Sequence, residues 1–155
     1  VAEVLRREIG RTVLLQGEDN KQRLLKTFVE NGRAVLVATS SFWEGIDVRG
    51  AALSCVIIDK LPFASPDDPL LKARVNDCKL KGGDPFAELQ LPKAVIALKQ
   101  GVGRLIRDRS DHGVLVICDP RMVNKPYGAT FIKSLPAIPR TRELGSLGSF
   151  FDRGA

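Results

Sequence analysis

The stretch RTVLLQGEDNKQRLLKTFVENGRAVLVA, residues 11–38, decides the fold class. It opens and closes on short apolar runs, 11–15 and 34–38, with the length and composition of buried strands. Between them, residues 19–30 carry the spacing of an amphipathic helix. Asp19 or Asn20 stands at its cap, Leu24, Leu25 and Phe28 on its inner face, and Asn31-Gly32 at its stop. Two strands joined through a helix call for parallel pairing, with the helix laid on the sheet.

The same alternation continues outward. Apolar runs at 54–58 and 114–118 predict two more strands, and 69–80 and 92–107 predict helices, each with a proline in its first turn. The pattern specifies an α/β fold: a RecA-like or Rossmann-type three-layer sandwich with a mostly parallel central sheet and ligand groups at the carboxyl ends of the strands. Residues 62–69 (PFASPDDP) are too rich in proline for helix or strand and read as a stiff loop. From Pro136 the composition turns to Pro, Gly and Ser. Residues 1–135 are therefore assigned to the domain and 136–155 to an extended C-terminal tail.

A chain of 155 residues is the size of one domain, and with Val1 in place of an initiator Met it is expected to be an excerpt of a longer protein. The 24 Lys and Arg outnumber 18 Asp and Glu, and the resulting +6 charge mildly favours a polyanionic partner. No apolar run approaches the ~18 residues of a membrane span, and no secretory signal opens the chain. Cys55, Cys78 and Cys118 form no C-x-x-C pair, so no metal site is expected. Cys55 and Cys118 lie in apolar runs and are expected in the core. A reducing cytoplasm fits this cysteine usage.

The chemistry concentrates in Gln100-Gly-Val-Gly-Arg-Leu-Ile-Arg107. On a helix continuing from residue 92, Gln100, Arg104 and Arg107 share one stripe, and Val95, Leu98, Val102, Leu105 and Ile106 lie opposite. Guanidinium forks in register suit a transferring phosphate, because they match its oxygens two at a time and keep their charge. The same spacing also describes a solvated basic face. Gly101 and Gly103 weigh toward the first reading, since each costs a helix interior ~1 kcal/mol against Ala, which fits a close approach to the backbone. Gly101 and Gly103 do not make a dinucleotide fingerprint: Ile106 stands where the third glycine belongs, and no strand precedes.

A second group, Ser41-Phe-Trp-Glu-Gly-Ile-Asp-Val-Arg-Gly50, follows the predicted strand at 34–38. Glu44 and Asp47 would project from a turn at a strand's carboxyl end, and Gly45 permits close approach. The alternative is a tight turn in which Asp47 caps the next segment. The chain has no G-x-x-x-x-G-K-[ST] loop and no Asp-Glu pair ending an apolar strand. Arg104 and Arg107 thus read as arginine fingers completing a site whose other wall belongs to a preceding domain.

W-E-G-I-D-V-x-G (43–50), K-L-P-F-x-x-P-x-x-P (60–69), Q-x-x-G-R-x-I-R-x-x-x-D-x-G (100–113), D-x-R (119–121) and Y-G-x-x-F-x-x-S-L-P (127–136) occur in this order. Together they resemble the second motor domain of superfamily-2 DNA helicases of the XPD/DinG type. The resemblance implies the C-terminal motor half of an ATP-dependent 5′–3′ helicase in DNA replication and repair, translocating on single-stranded DNA. It implies Gln100, Arg104 and Arg107 as the groups acting on the γ-phosphate, with Glu44, Gly45, Asp47 and Gly103 lining the nucleotide. ATP with Mg would be shared with a first motor domain, which would also carry a four-cysteine iron–sulfur cluster. The fragment alone is expected to be inactive. Ser40, Ser41, Arg49 and Lys60 are candidate donors to the DNA backbone. The alternative is an interaction module: Arg140 and Arg142 with Leu144, Leu147, Phe150 and Phe151 offer charged donors beside apolar anchors. The resemblance implies the χ subunit of the polymerase clamp loader as that partner. The competing outcome is that these phenylalanines pack back onto the domain.

Overall fold

The computed structural model describes residues 1–43, 48, 52–105 and 112–152, with the backbone alone at 43, 149, 151 and 152. In chain order the elements are α1 (Ala2–Glu8), β1 (Val13–Leu15), α2 (Lys21–Asn31), β2 (Val35–Val37), a 3₁₀ turn (Ser40–Trp43), β3 (Cys55–Ile58) and α3 (Pro69–Leu80). A π-helical turn (Phe86–Gln90) then runs into α4 (Leu91–Val102), followed by β4 (Val114–Ile117), α5 (Arg121–Asn124), α6 (Gly128–Ser134) and α7 (Gly145–Asp152).

The opening strand–helix–strand unit forms as its residues dictate. Asn20 caps α2, its Oδ1 accepting from the Arg23 amide at 2.9 Å. Gly32 ends the helix at φ 65°, a left-handed conformation that costs glycine little. Leu24, Leu25 and Phe28 turn inward, onto a cluster with Phe42 and Val48. The strands on either side pair in parallel, Val13 opposite Val35 and Leu15 opposite Val37.

β3 and β4 form the second parallel pair, Cys55 opposite Val114 and Ile58 opposite Ile117. Among the described residues no ladder joins the two pairs. The main core lies on one face of β3–β4, where Ile58, Leu61, Ala94, Leu98, Val102, Met122 and Phe131 pack together. The α4 residues of this set recur at 94, 98 and 102, so one helical stripe supplies nearly half of the buried cluster.

Five expectations are corrected. The helix over 92–107 ends at Val102, with Gly103 at the cap position in a right-handed conformation (φ −64°) and the chain tightening into i→i+3 bonds. The Arg104 amide donates to the Gly101 carbonyl at 3.2 Å and that of Leu105 to Val102 at 2.9 Å. Helical order also begins earlier, at Phe86. Strand β3 is not buried on both faces: Cys55 is exposed and Ile57 is 67 % exposed, while the main core packs on the face carrying Val56 and Ile58. Cys118, one residue past β4, is exposed as well, and Cys78 is the buried cysteine. The tail is not extended throughout, because residues 145–152 close into α7.

Gly128 shows where backbone packing is tightest. A Cβ there would lie 2.1 Å from the Met122 carbonyl oxygen, whereas one on Gly145 would meet open space. Gly128→Ala is expected to destabilise the chain by about 2 kcal/mol or more through overpacking. Gly145→Ala should be neutral or slightly stabilising. Urea denaturation of the two variants checks the contrast, and equal effects would contradict the α5–α6 packing.

Candidate functional site

Polar groups collect where the strands end. Gln16 follows β1 and Thr39 follows β2, and the Gln16 Oε1 accepts from the Thr39 amide at 2.8 Å and from its hydroxyl at 3.0 Å. The Thr39 hydroxyl also meets that of Ser41 at 2.8 Å. The 3₁₀ turn starts here, with the Phe42 amide on the Thr39 carbonyl and the Phe42 ring buried against α2. The Lys21 ammonium lies 5.0 Å from the centre of that ring. Ser40 and Ser41 are exposed on the turn. Glu44, Gly45, Asp47 and Arg49 lie outside the described residues.

Helix α4, whose last turn carries Gln100, packs against this turn. Gln100 is exposed in the last helical turn and Gly103 is exposed at the cap. Arg104 sits just beyond the helix rather than on its stripe. It is half-buried; its Nε is shielded from solvent and has no hydrogen-bond partner among the described residues. A buried guanidinium donor without an acceptor is costly, and an anion entering here would relieve that cost. Val102 and Leu105 anchor the backbone on either side, 2 % and 5 % exposed. Arg107 lies outside the described residues.

At the ends of β3 and β4 the structure adds a constellation to which the sequence reading gave no role. Asp119, 5 % exposed, accepts from the Leu61 amide at 2.8 Å, from the Arg121 amide at 2.9 Å and from the Arg121 guanidinium at 2.6–3.0 Å. The Arg121 guanidinium bonds hold its carboxyl well below the ordinary carboxylate range; burial opposes them, and the Leu61 and Arg121 amides reinforce them. Arg121 also stands 5.2 Å over the Phe63 ring, which joins Phe86, Tyr127 and Phe131 in an aromatic cluster. The sequence signal was an Asp directly after a buried strand, a place where carboxylates cap backbone amides. Lys60, one residue before Leu61, is exposed.

In the tail, Arg140 and Arg142 are exposed, Leu144 is 78 % exposed and Leu147 is half-buried. Phe150 is partly exposed on α7, and Phe151 is described by its backbone alone. No group of three or more His, Cys, Asp or Glu able to hold a metal occurs among the described residues. None of their helices is long and apolar enough to cross a membrane.

The family model for the helicase C-terminal domain matches residues 1–138. The chain is 69 % identical over 144 residues to the ATP-dependent DNA helicase YoaA of Escherichia coli K12, covering 93 % of the chain and 23 % of that protein. It is 61 % identical over 150 residues to YoaA of Haemophilus influenzae, covering 97 % and 23 %. With the ATP-dependent helicase DinG of Mycobacterium tuberculosis H37Rv it shares 40 % over 139 residues, covering 90 % and 21 %. The chain therefore spans about a quarter of the length of the relatives it matches.

Replacing Asp119 with Ala should cost about 2 kcal/mol at neutral pH, since it leaves the buried Leu61 amide without its acceptor and the half-exposed Arg121 without its partner. A carboxyl whose folded pKa is depressed stabilises above its unfolded value near ~3.9, and that contribution fades as pH falls toward the folded value. Urea unfolding at several pH values should thus show the gap between wild type and variant narrowing in acid. A gap independent of pH would contradict the ion pair.

Proposed function

The chain belongs to the helicase C-terminal domain family, and from that premise we propose that it is the second motor domain of a 5′–3′ DNA helicase of the YoaA/DinG type, present in the cytoplasm and acting in replication and repair. The observation that carries this reading is Arg104. An arginine fixed by buried neighbours, with a shielded Nε lacking an acceptor, suits a phosphate oxygen presented from outside the domain.

In this reading the nucleotide and its magnesium are held mainly by a preceding motor domain, and ATP bound there supplies the phosphoanhydride that is hydrolysed. Arg104 donates to the γ-phosphate oxygens as their charge spreads in the transition state, and Arg107 is the proposed second cation. Gln100, exposed one turn upstream, contacts the same phosphate. Gly103 lets the backbone come close, while Glu44, Gly45 and Asp47 are assigned the adjoining wall. The α4–turn contact supports placing these groups on one surface. Single-stranded DNA is assigned to Ser40, Ser41, Arg49 and Lys60, and closure of the two domains moves the strand. The iron–sulfur cluster implied by the resemblance lies outside this chain in this scheme.

Losing an arginine finger typically costs 10³–10⁵ in turnover, or ~4–7 kcal/mol of barrier. In the complete protein, Arg104→Ala is expected to abolish DNA-stimulated ATP hydrolysis and leave DNA binding nearly intact. Near-normal hydrolysis in that variant would remove the finger assignment.

A second, compatible reading rests on α7. Leu144 stands exposed beside Arg140 and Arg142, with Leu147, Phe150 and Phe151 along the helix, a combination typical of docking segments. The proposed partner is the clamp-loader χ subunit. Deleting residues 144–155 should abolish co-purification with χ, and retention after deletion would assign the contact to the folded core.

A further inference from the structure

Lys60 sits in a two-residue bend, Asp59-Lys60, whose ends are both tied to the segment leaving β4. On one side the Cys118 amide donates to the Ile58 carbonyl at 2.9 Å. On the other, Asp119 Oδ2 accepts from the Leu61 amide at 2.8 Å in a buried setting. The chain beyond is equally constrained. Leu61 is 3 % exposed, Pro62 restricts the residue before it to extended conformations, and the Phe63 amide turns back onto the Leu61 carbonyl at 2.8 Å. Arg121, held by both Asp119 oxygens, covers the Phe63 ring. Lys60 itself makes no ion pair among the described residues and is exposed.

An ion pair whose carboxylate is buried and whose guanidinium is half-exposed is a poor device for stability alone, because desolvating the carboxylate offsets much of the attraction. Its use here is to fix geometry, and the group whose geometry it fixes at the surface is Lys60. We propose that Asp119, braced by Arg121, is a positioning residue that presents the Lys60 ammonium to a phosphate of the bound DNA strand. Lysine is a flexible point charge, so a rigid backbone beneath it lowers the entropy lost when it meets a phosphate. The inference rests on the proposed contact between Lys60 and DNA and adds to it the group that sets that contact.

A double-mutant cycle in the full-length helicase tests it, reading DNA-stimulated ATPase against single-stranded DNA concentration at several salt concentrations. Lys60→Ala should raise the half-saturating DNA concentration about fivefold and lower the salt slope by about one. Asp119→Asn should raise it about threefold and leave the rate at saturating DNA within about twofold, since Asn keeps the shape of the side chain and the bonds of Asp119 run to Leu61 and Arg121, not to Arg104. In the double variant the Asp119→Asn effect should vanish, giving the Lys60→Ala value. Multiplied effects, or a fall in the saturated rate with unchanged half-saturation, would overturn the positioning role and leave Asp119 a structural residue. An unchanged half-saturation in Lys60→Ala would instead remove the DNA contact itself. Where Asp119→Asn fails to fold, Arg121→Lys, which keeps the charge and loses the fork, is read in the same cycle with the same non-additivity expected.

Discussion

Asp119 has almost no water to turn to, and four donors converge on its two oxygens. That convergence ties the exits of two neighbouring strands to each other. β3 and β4 would pair through their backbones in any case, but the segments beyond them would be free to diverge. With the carboxylate in place, Leu61 drops into the core beside Leu98 and Phe131, and Phe63 stacks on Phe86 at the start of the α4 helical run. The loop after β3 and helix α4 thereby rest on one packed unit.

Helix α4 is the other half of this arrangement. Its buried stripe fixes rotation about its own axis, and its last turn decides where Arg104 points. Had the helix run on, Arg104 would have taken its place on the exposed stripe below Gln100. The cap at Gly103 instead swings it toward a sheltered position, where its Nε is left without an acceptor. The glycine cost that first suggested a close approach to the backbone has a second meaning: it is where the helix stops.

The local elements were legible from the residues. The cap at Asp19 or Asn20, the stop at Gly32, the helix opened by Pro69 and the four-to-five-residue apolar runs reflect preferences acting over a few residues, and the structure places them within one or two positions of the reading. What the sequence hid was of longer range. The bond from Leu61 to Asp119 spans 58 residues, and no periodicity announces it. The exposure of Cys55 and Ile57 depends on which face of β3 is covered, and an apolar run alone does not say. Of the candidate site, Gln100, Arg104, Ser40, Ser41 and Lys60 were singled out from the sequence and lie among the described residues, while the network of Gln16 and Thr39 and the bonds joining Asp119 to Leu61 and Arg121 emerged only from the packing. Glu44, Asp47, Arg49 and Arg107 rest on the sequence reading alone.

The central claim is that Arg104 waits for a phosphate brought by a partner domain. A structure of the complete helicase holding ADP and a planar fluoride mimic of the transferring phosphoryl group tests it most directly. The account predicts an Arg104 guanidinium nitrogen at hydrogen-bonding distance, ~3 Å, from the mimic. An Arg104 turned to solvent, or bonded to an acidic side chain of its own domain while the mimic is held entirely by others, would contradict it.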